Sequence, residues 1–223
     1  MYSGKIQPHI DRPLKKIDHE ALSKIIEELP NNPLLTGMDN APRLSLAGAQ
    51  SKFAVYKGTD GKYYRSDDEH PTTHIIKIAN KYFNGLLENE LFCMTLAKKS
   101  LKTRLMSVWI RLTDKNNTVV LSPAYDLVAV DVYPKKTVSH QVAMTINGKG
   151  TYASLYRKDW EALFAQLNLN ATSMMKEMQK TFSHIVDDGR KLADILDKDA
   201  LTSSDIYEKI LKNVENRYRA LFD

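Results

Sequence analysis

The order of the periodic segments is the feature that most constrains the fold of this chain. Several strand-like runs lie in the first 125 residues, among them "KFAVY", "THIIKIA" and the pair "LMSVWIRLT" and "TVVLSP". From Trp160 onward the apolar residues recur at helical spacing. Strand-rich sequence followed by helical sequence predicts an α+β fold with two unequal lobes. We place the β-rich lobe in residues 1–104 and the hairpin with the helical lobe in residues 105–223.

Two helices interrupt the strand-rich part. Residues 18–29, "DHEALSKIIEEL", have Asp18 as a candidate N-cap and Pro30 as a stop. The run "LLENELFCMTLAKK" predicts a second helix, with Leu87, Leu91 and Met94 as its buried stripe. The later run "RKLADILDKD" is predicted to be a solvated helix or loop face.

Composition narrows the class of protein. Hydrophobic residues make up 43% and charged residues 26% of the chain, as in globular proteins. The sequence has no apolar run that approaches the ~20 residues needed to span a bilayer. It also has no secretory signal pattern. Together these features predict a cytoplasmic protein that does not associate with a membrane. A single cysteine, Cys93, excludes an internal disulfide framework and a Cys-rich zinc site. The net charge of +5 comes from scattered residues and does not indicate a dedicated DNA-binding surface.

Four features stand in a fixed order along the first half of the chain. A small-residue loop, "SLAGAQSK", precedes a strand; Lys77 lies in a strand; Glu90 lies on the next helix; Asp126 follows a hairpin. Taken singly, each has a structural explanation, such as a solvated lysine or a turn-capping aspartate. Their order is that of a protein kinase, in which such a loop covers phosphates, a strand lysine pairs with a helix glutamate, and an aspartate binds Mg²⁺.

The motifs that carry these residues resemble the HipA-type serine/threonine kinases, the toxins of bacterial toxin–antitoxin pairs. They are "RLSLAGAQSK", "PTTHIIK", "NELFCMTLAK", "SPAYDL" and "MTINGK". The resemblance implies a kinase-like, two-lobed fold that binds ATP and Mg²⁺. It also implies an aminoacyl-tRNA ligase as substrate and a DNA-binding antitoxin as partner, with DNA reached only through that antitoxin.

The resemblance also assigns roles to individual residues. Ser45 matches the serine that these kinases autophosphorylate, and a phosphate there would add about −1.5 to −2 charges and repel the phosphates of ATP. The matching positions of the ATP and metal site are the loop residues Ala47, Gly48, Ala49 and Gln50, the phosphate-binding Lys77, its partner Glu90 and the metal-binding Asp126.

One part of the kinase pattern is missing. The family's catalytic loop has the form Asp-x-His-x-Lys-Asn, and the sequence does not contain it. His70 is the one histidine that lies two residues after an aspartate, Asp68, and Thr72 and Thr73 stand where the pattern requires Lys and Asn. The predicted helix ends near Lys99 and the next strand begins near Leu105, so the five residues between them span at most ~18 Å. The sequence therefore resembles a family member with its catalytic middle deleted and its N-terminal subdomain shortened. We predict a catalytically inactive homologue, a pseudokinase.

Three alternatives stay open beside this interpretation. An active kinase would need a surrogate base: Asp114 lies at the far tip of the hairpin, so Asp131, five residues past Asp126, is the better candidate. A non-catalytic module could bind nucleotide or antitoxin. A poorly folded remnant would do neither.

Other motifs have ordinary structural explanations. Asn147 and Gly148 in "MTINGKG" predict a hairpin turn rather than a nucleotide-binding loop. Met175 and its neighbouring methionines are predicted to pack in the core. Cys93, between Phe92 and Met94, is predicted to be a buried and unreactive thiol.

Overall fold

The structure is a computed structural model, and it describes two compact units, Met1–Tyr82 and Phe83–Asp223. The residues described are 14–31, 51–66, 71–79, 82–100 and 126–223, together with the backbone of 106–112 and 119–123. The boundary between lobes at residue 104 stays a prediction, because it comes from the resemblance to kinases and not from the contacts within each unit.

In its described residues, the first unit contains one helix and a three-stranded antiparallel sheet. The sheet has the order β2-β1-β3, so that the first strand in sequence lies in the middle. The strand predictions for this part of the chain are confirmed. The elements are α1 (His19–Glu28), β1 (Lys52–Lys57), β2 (Tyr63–Tyr64) and β3 (His74–Lys77).

Helix α1 begins where the sequence predicts. The Oδ1 atom of Asp18 accepts a hydrogen bond from the backbone N–H of Ala21 at 2.8 Å, which satisfies one of the free donors of the first turn. Ile25 and Leu29 are fully buried, whereas Ile26 is 40% exposed and lies outside the stripe. The buried stripe meets the sheet in a core that comprises Ile17, Ile25, Leu29, Phe53 and Val55.

The second unit begins with a helix, continues with two separate hairpins and ends with four helices. Strands β4 and β5 pair with each other, as do β6 and β7, all antiparallel. The mixed architecture, with strands early and helices late, is the α+β class predicted from sequence. The elements are α2 (Leu86–Ser100), β4 (Met106–Leu112), β5 (Val119–Pro123), β6 (Gln141–Ile146), β7 (Lys149–Thr151), α3 (Arg157–Gln166), α4 (Ala171–Ser183), α5 (Ile185–Leu196) and α6 (Ile206–Phe222).

Helix α2 buries a different face from the one predicted. Its buried residues are Asn89, Phe92 and Leu96, whereas Leu91 is 41% exposed. The predicted position of Leu91 on the buried stripe is therefore wrong, whereas Leu87 and Met94 are half-buried. The ring of Phe92 stacks on that of Tyr207 in α6 with centroids 4.8 Å apart, and this contact fixes the rotation of the helix about its axis.

Helix α5 was also misassigned as a solvated face. Gly189, Leu192 and Ala193 are buried on the side that meets α2 and α6. A Cβ atom at Gly189 would clash with Cδ2 of Leu211, so the absence of a side chain allows α5 and α6 to approach closely. The resulting core comprises Phe92, Leu96, Leu192, Ala193, Ile206, Tyr207, Ile210 and Leu211. In the part of the chain described, no helix is both long and apolar enough to cross a membrane.

The hairpin of β6 and β7 has the predicted turn. Asn147 and Gly148 both have positive φ, 49° and 73°, as a type I′ turn requires. The turn is fastened to α3 by Asp159, a fully buried carboxylate that the sequence analysis did not single out. Asp159 accepts hydrogen bonds from Lys149 Nζ at 2.7 Å, Asn147 Nδ2 at 2.9 Å and the N–H of Tyr156 at 2.8 Å.

Candidate functional site

The predicted phosphate loop leads directly into the central strand of the first sheet. Its residues Ser45, Ala47, Gly48, Ala49 and Gln50 lie outside the described residues. Ser51 follows the loop, and its carbonyl accepts a hydrogen bond from the N–H of Ile78 at 2.9 Å.

The C-terminal end of that loop lies beside Lys77. Lys77 is the last residue of β3 and is half-buried. Its cross-strand partner is Lys52, the first residue of β1. Residues directly opposite each other have their side chains on the same face of a sheet, so two ammonium groups share this face. Lys52 was missed by sequence reasoning, although its position directly after the loop was a signal.

Glu90 lies on α2, as predicted, and is half-buried. Lys77 belongs to the first unit and Glu90 to the second, so each is described within its own unit. The ion pair between them stays a prediction.

Asp126 lies three residues after the end of β5 and has an exposed side chain. Its φ of 56° places it in the left-handed region, which few residues other than glycine adopt. A carboxylate is a hard oxygen ligand, and Mg²⁺ is commonly held by one or two carboxylates together with substrate phosphates and water. The donor chemistry at Asp126 therefore fits Mg²⁺ bound jointly with a nucleotide. Within the described ranges, no cluster of three or more His, Cys, Asp or Glu side chains forms a separate metal site.

A buried amide joins α2 to the segment that follows Asp126. Asn89 is fully buried, and its Oδ1 accepts a hydrogen bond from the N–H of Ala129 at 2.8 Å. Its Nδ2 donates to the carbonyl of Ala129 at 3.0 Å and to the hydroxyl of Tyr133 at 3.4 Å. Ala129 thus presents both a donor and an acceptor to one side chain, which fixes the orientation of the amide. Sequence reasoning missed Asn89, because an asparagine on a helix ordinarily faces water.

Burial around Asn89 also affects the pKa values of two neighbouring side chains, Cys93 and Tyr133. The Sγ atom of Cys93 donates to Asn89 Oδ1 at 3.3 Å, and desolvation raises the pKa of the thiol to about 11. Burial also raises the pKa of Tyr133, against the opposing effect of its hydrogen bond from Asn89. Both groups are therefore neutral at physiological pH, which agrees with the unreactive thiol predicted for Cys93.

The two alternative bases have different positions. Asp114 lies outside the described residues. Asp131 lies in the short 3-10 turn Val130–Val132 and is exposed. It lines an open cleft of about 840 Å³ between this turn, β6 and α6, together with Lys135, His140 and Arg217.

The link between α2 and the first hairpin is as short as predicted. Helix α2 ends at Ser100 and β4 begins at Met106, which leaves residues 101–105 between them. Five residues span at most ~18 Å. Additional helices and the Asp-x-His-x-Lys-Asn loop of a kinase cannot be accommodated in this link.

Comparisons with known proteins agree with the resemblance seen in the sequence. Residues 44–106 match the sequence model of the HipA-like C-terminal domain. A curated protein of Sinorhizobium fredii, named "Putative kinase Y4mE", is 40% identical over 90 residues. That match covers 40% of this chain and 21% of the relative's length, so the chain spans only a small part of the curated relative that it matches.

A solved structure shows the fold. The chain superposes on one from the Shewanella oneidensis MR-1 toxin–antitoxin complex of HipA, HipB and operator DNA with a TM-score of 0.66. The match covers 97% of this chain and 72% of that chain, at 16% sequence identity. The α+β fold predicted from sequence is thus the HipA kinase-like fold.

Proposed function

We propose that this HipA-like chain binds ATP with Mg²⁺ but transfers no phosphoryl group at the rate of a kinase. The observation that supports this proposal is the five-residue link between α2 and β4. It joins the helix that carries Glu90 to the hairpin that precedes Asp126, where a kinase has its catalytic loop.

The proposed nucleotide site uses the charged residues that the kinase resemblance assigns to it. Lys77, with Lys52 opposite it, supplies positive charge for the phosphates, and the loop residues 47–50 supply backbone N–H groups. Glu90 is the proposed partner of Lys77. Asp126 would hold Mg²⁺, whose charge neutralises the phosphates when it is bound.

Loss of the catalytic loop removes a specific step. In a kinase the loop aspartate orients the substrate hydroxyl and accepts its proton, and the loop asparagine holds a second metal. General-base catalysis of this kind contributes about 10²- to 10⁴-fold in rate. The sequence does not contain the complete Asp-x-His-x-Lys-Asn pattern, so phosphoryl transfer is expected to be absent or very slow.

Two further assignments follow from the comparisons and the resemblance. The solved complex contains HipB and operator DNA, so we propose a HipB-like antitoxin as the protein partner and DNA only through it. The aminoacyl-tRNA ligase substrate and autophosphorylation of Ser45 belong to the alternative of an active kinase. That alternative would use Asp131 as the base, and its exposure at the open cleft is the observation that favours it.

The proposal is tested by measuring binding and transfer in the same preparation. The purified chain is titrated with ATP and Mg²⁺ in a calorimeter, then incubated with both and analysed by intact mass spectrometry. We expect measurable binding without a product heavier by one phosphoryl group, about 80 Da. Asp126→Ala should weaken binding only when Mg²⁺ is present, whereas Lys77→Ala should weaken it with or without the metal.

The possible outcomes separate the alternatives. An 80 Da addition on Ser45 that disappears in Lys77→Ala would establish an active kinase, and its loss in Asp131→Asn would identify the base. A folded chain that binds no ATP would favour the remnant. Lys136→Ala, at an exposed position and not among the residues proposed to bind ATP, is the control for the loss of a lysine.

A further inference from the structure

We infer that Asn89 is a positioning residue, which holds the segment after Asp126 on helix α2 and thereby sets the position of the Asp126 carboxylate. The inference rests on the proposed function for the role of Asp126. The holding contact itself is a property of the second unit and is testable without any ligand.

The geometry makes Asn89 a clamp on the backbone. Its side chain bonds both the N–H and the C=O of Ala129, at 2.8 and 3.0 Å, across 40 positions in sequence. The backbone N–H and C=O groups of one residue are thereby both held on helix α2. Ala129 is three residues from Asp126, so the clamp acts on the backbone that carries the carboxylate.

Other contacts hold the far end of the same segment. The ring of Tyr133 meets that of Phe83 edge-on, with centroids 5.5 Å apart. His140 Nε2 donates to the carbonyl of Tyr133 at 2.8 Å. These contacts fix residue 133, seven residues beyond Asp126. The hydrogen bonds of Asn89 hold the segment nearer to Asp126, three residues beyond it.

The backbone of Asp126 explains why such a clamp is useful. A left-handed aspartate is a conformation that the surrounding structure has to maintain, because other backbone conformations are more favourable for a free chain. With Ala129 released, the two intervening residues would regain several rotatable bonds, and the carboxylate of Asp126 would sample a wider range of positions. A purely structural asparagine would stabilise the fold without influencing the metal.

The test follows the amide of Ala129 by hydrogen exchange in the full chain. In the wild type we expect it to exchange as slowly as the interior amides of α2. In Asn89→Ala the exchange should be faster by about tenfold or more, since the carbonyl of Ala129 and its N–H both lose their partner. Asn89→Asp keeps an acceptor for that N–H and should give an intermediate rate. Cys93→Ala removes only the weak thiol contact and is the matched control.

A second readout separates positioning from simple stability. The ratio of ATP affinities with Mg²⁺ and with EDTA should fall about fivefold or more in Asn89→Ala, as expected for loss of a correctly placed ligand. Affinity in EDTA should be unchanged. A variant with a lower melting temperature but an unchanged ratio would show a structural role only and would overturn the inference.

The two proposals fail in different ways. A wild-type chain that binds no ATP would defeat the proposed function, while exchange at Ala129 would still decide whether Asn89 holds the segment. If Asn89→Ala does not fold, the wild type alone decides: an Ala129 amide that exchanges as fast as those of exposed loops would disprove the clamp.

Discussion

At the scale of single residues, buried polar side chains restrict the arrangement of neighbouring segments more than apolar ones do, because they require particular hydrogen-bond partners. Asn89 and Asp159 each satisfy several partners that come from different parts of the chain. A buried polar group without its partners costs more than a typical hydrogen bond contributes. Each of these residues therefore specifies one arrangement of the segments around it.

Asp159 should make the stability of the chain depend on acid pH. Its hydrogen bonds from Lys149, Tyr156 and Asn147 lower its pKa from 3.8 to about 2. A carboxylate with a depressed pKa stabilises the fold above its unfolded pKa, and this contribution is lost as pH falls through the folded value. We expect the urea concentration at which half of the wild type is unfolded to decrease as the pH is lowered from about 4 to about 2.

The matching variant is Asp159→Asn, which retains the size of the side chain but not its charge. It should lower the melting temperature at pH 7 by at least about 5 °C, because it breaks a buried ion pair with Lys149. Its midpoint should also vary less than that of the wild type between pH 4 and pH 2. Equal pH dependence in both proteins would contradict the assignment.

Cys93 should react slowly with thiol reagents. Its pKa of about 11 lies well above the usual ~8.5, so the reactive thiolate is a very small fraction at pH 8. Because the chain has a single cysteine, the rate of alkylation reports on this site alone. We expect reaction to be slow in the native protein and fast in urea. Rapid native alkylation would show that the site between α2 and Ala129 opens readily.

At the scale of elements, close helix contacts decide the core of the second unit. Gly189 allows α5 to approach α6, and Leu211 occupies the space that a side chain would need. Leu96 Cδ2 and Phe92 Cζ of α2 lie 3.5 and 3.6 Å from the position that a Cβ atom of Gly189 would take. Three helices therefore meet at one position without a side chain.

Gly189→Ala should destabilise the chain, although the same change ordinarily stabilises a helix by about 1 kcal/mol. The added methyl group would clash with the buried side chain of Leu211, and overpacking of this kind costs about 1–3 kcal/mol. Urea unfolding measures the difference. Lys191→Ala, at an exposed position of α5, should change stability by less than about 0.5 kcal/mol.

A compensating variant tests the cause. Leu211→Val removes the clashing carbon, so in the double variant the cost of Gly189→Ala should shrink. A stabilising effect of Gly189→Ala alone would mean that the three helices are packed less tightly than described.

At the scale of the whole molecule, each unit has its own core. The first contains Ile17, Ile25 and Phe53, and the second is built around Phe92 and Tyr207. Neither of these clusters uses residues of the other unit. Each unit thus satisfies the basic requirement for folding alone.

We expect the fragment of residues 83–223 to fold by itself. It should give a helical circular dichroism spectrum and a cooperative thermal transition, because its buried cluster is complete. Leu211→Ala should destabilise both the fragment and the full chain, by about 2–5 kcal/mol. A fragment without a cooperative transition would show that the second unit depends on the first.

The sequence by itself determined the elements and their order. The cap at Asp18, the turn at Asn147 and the strand-forming run of β1 are local signals, because each depends on neighbours within a few residues. The short link between α2 and β4 was equally readable, since chain length limits reach regardless of packing. The kinase-like fold followed from the order of these parts.

Only the tertiary structure decided which face of each helix is buried. Helix α2 has apolar residues on several sides, so its periodicity did not distinguish Leu91 from Phe92. The burial of Asn89 depends on Ala129, 40 positions away, and Lys52 gains its importance from pairing with Lys77. A local pattern contains no information about partners so distant in sequence, because their approach is set by packing among the other elements.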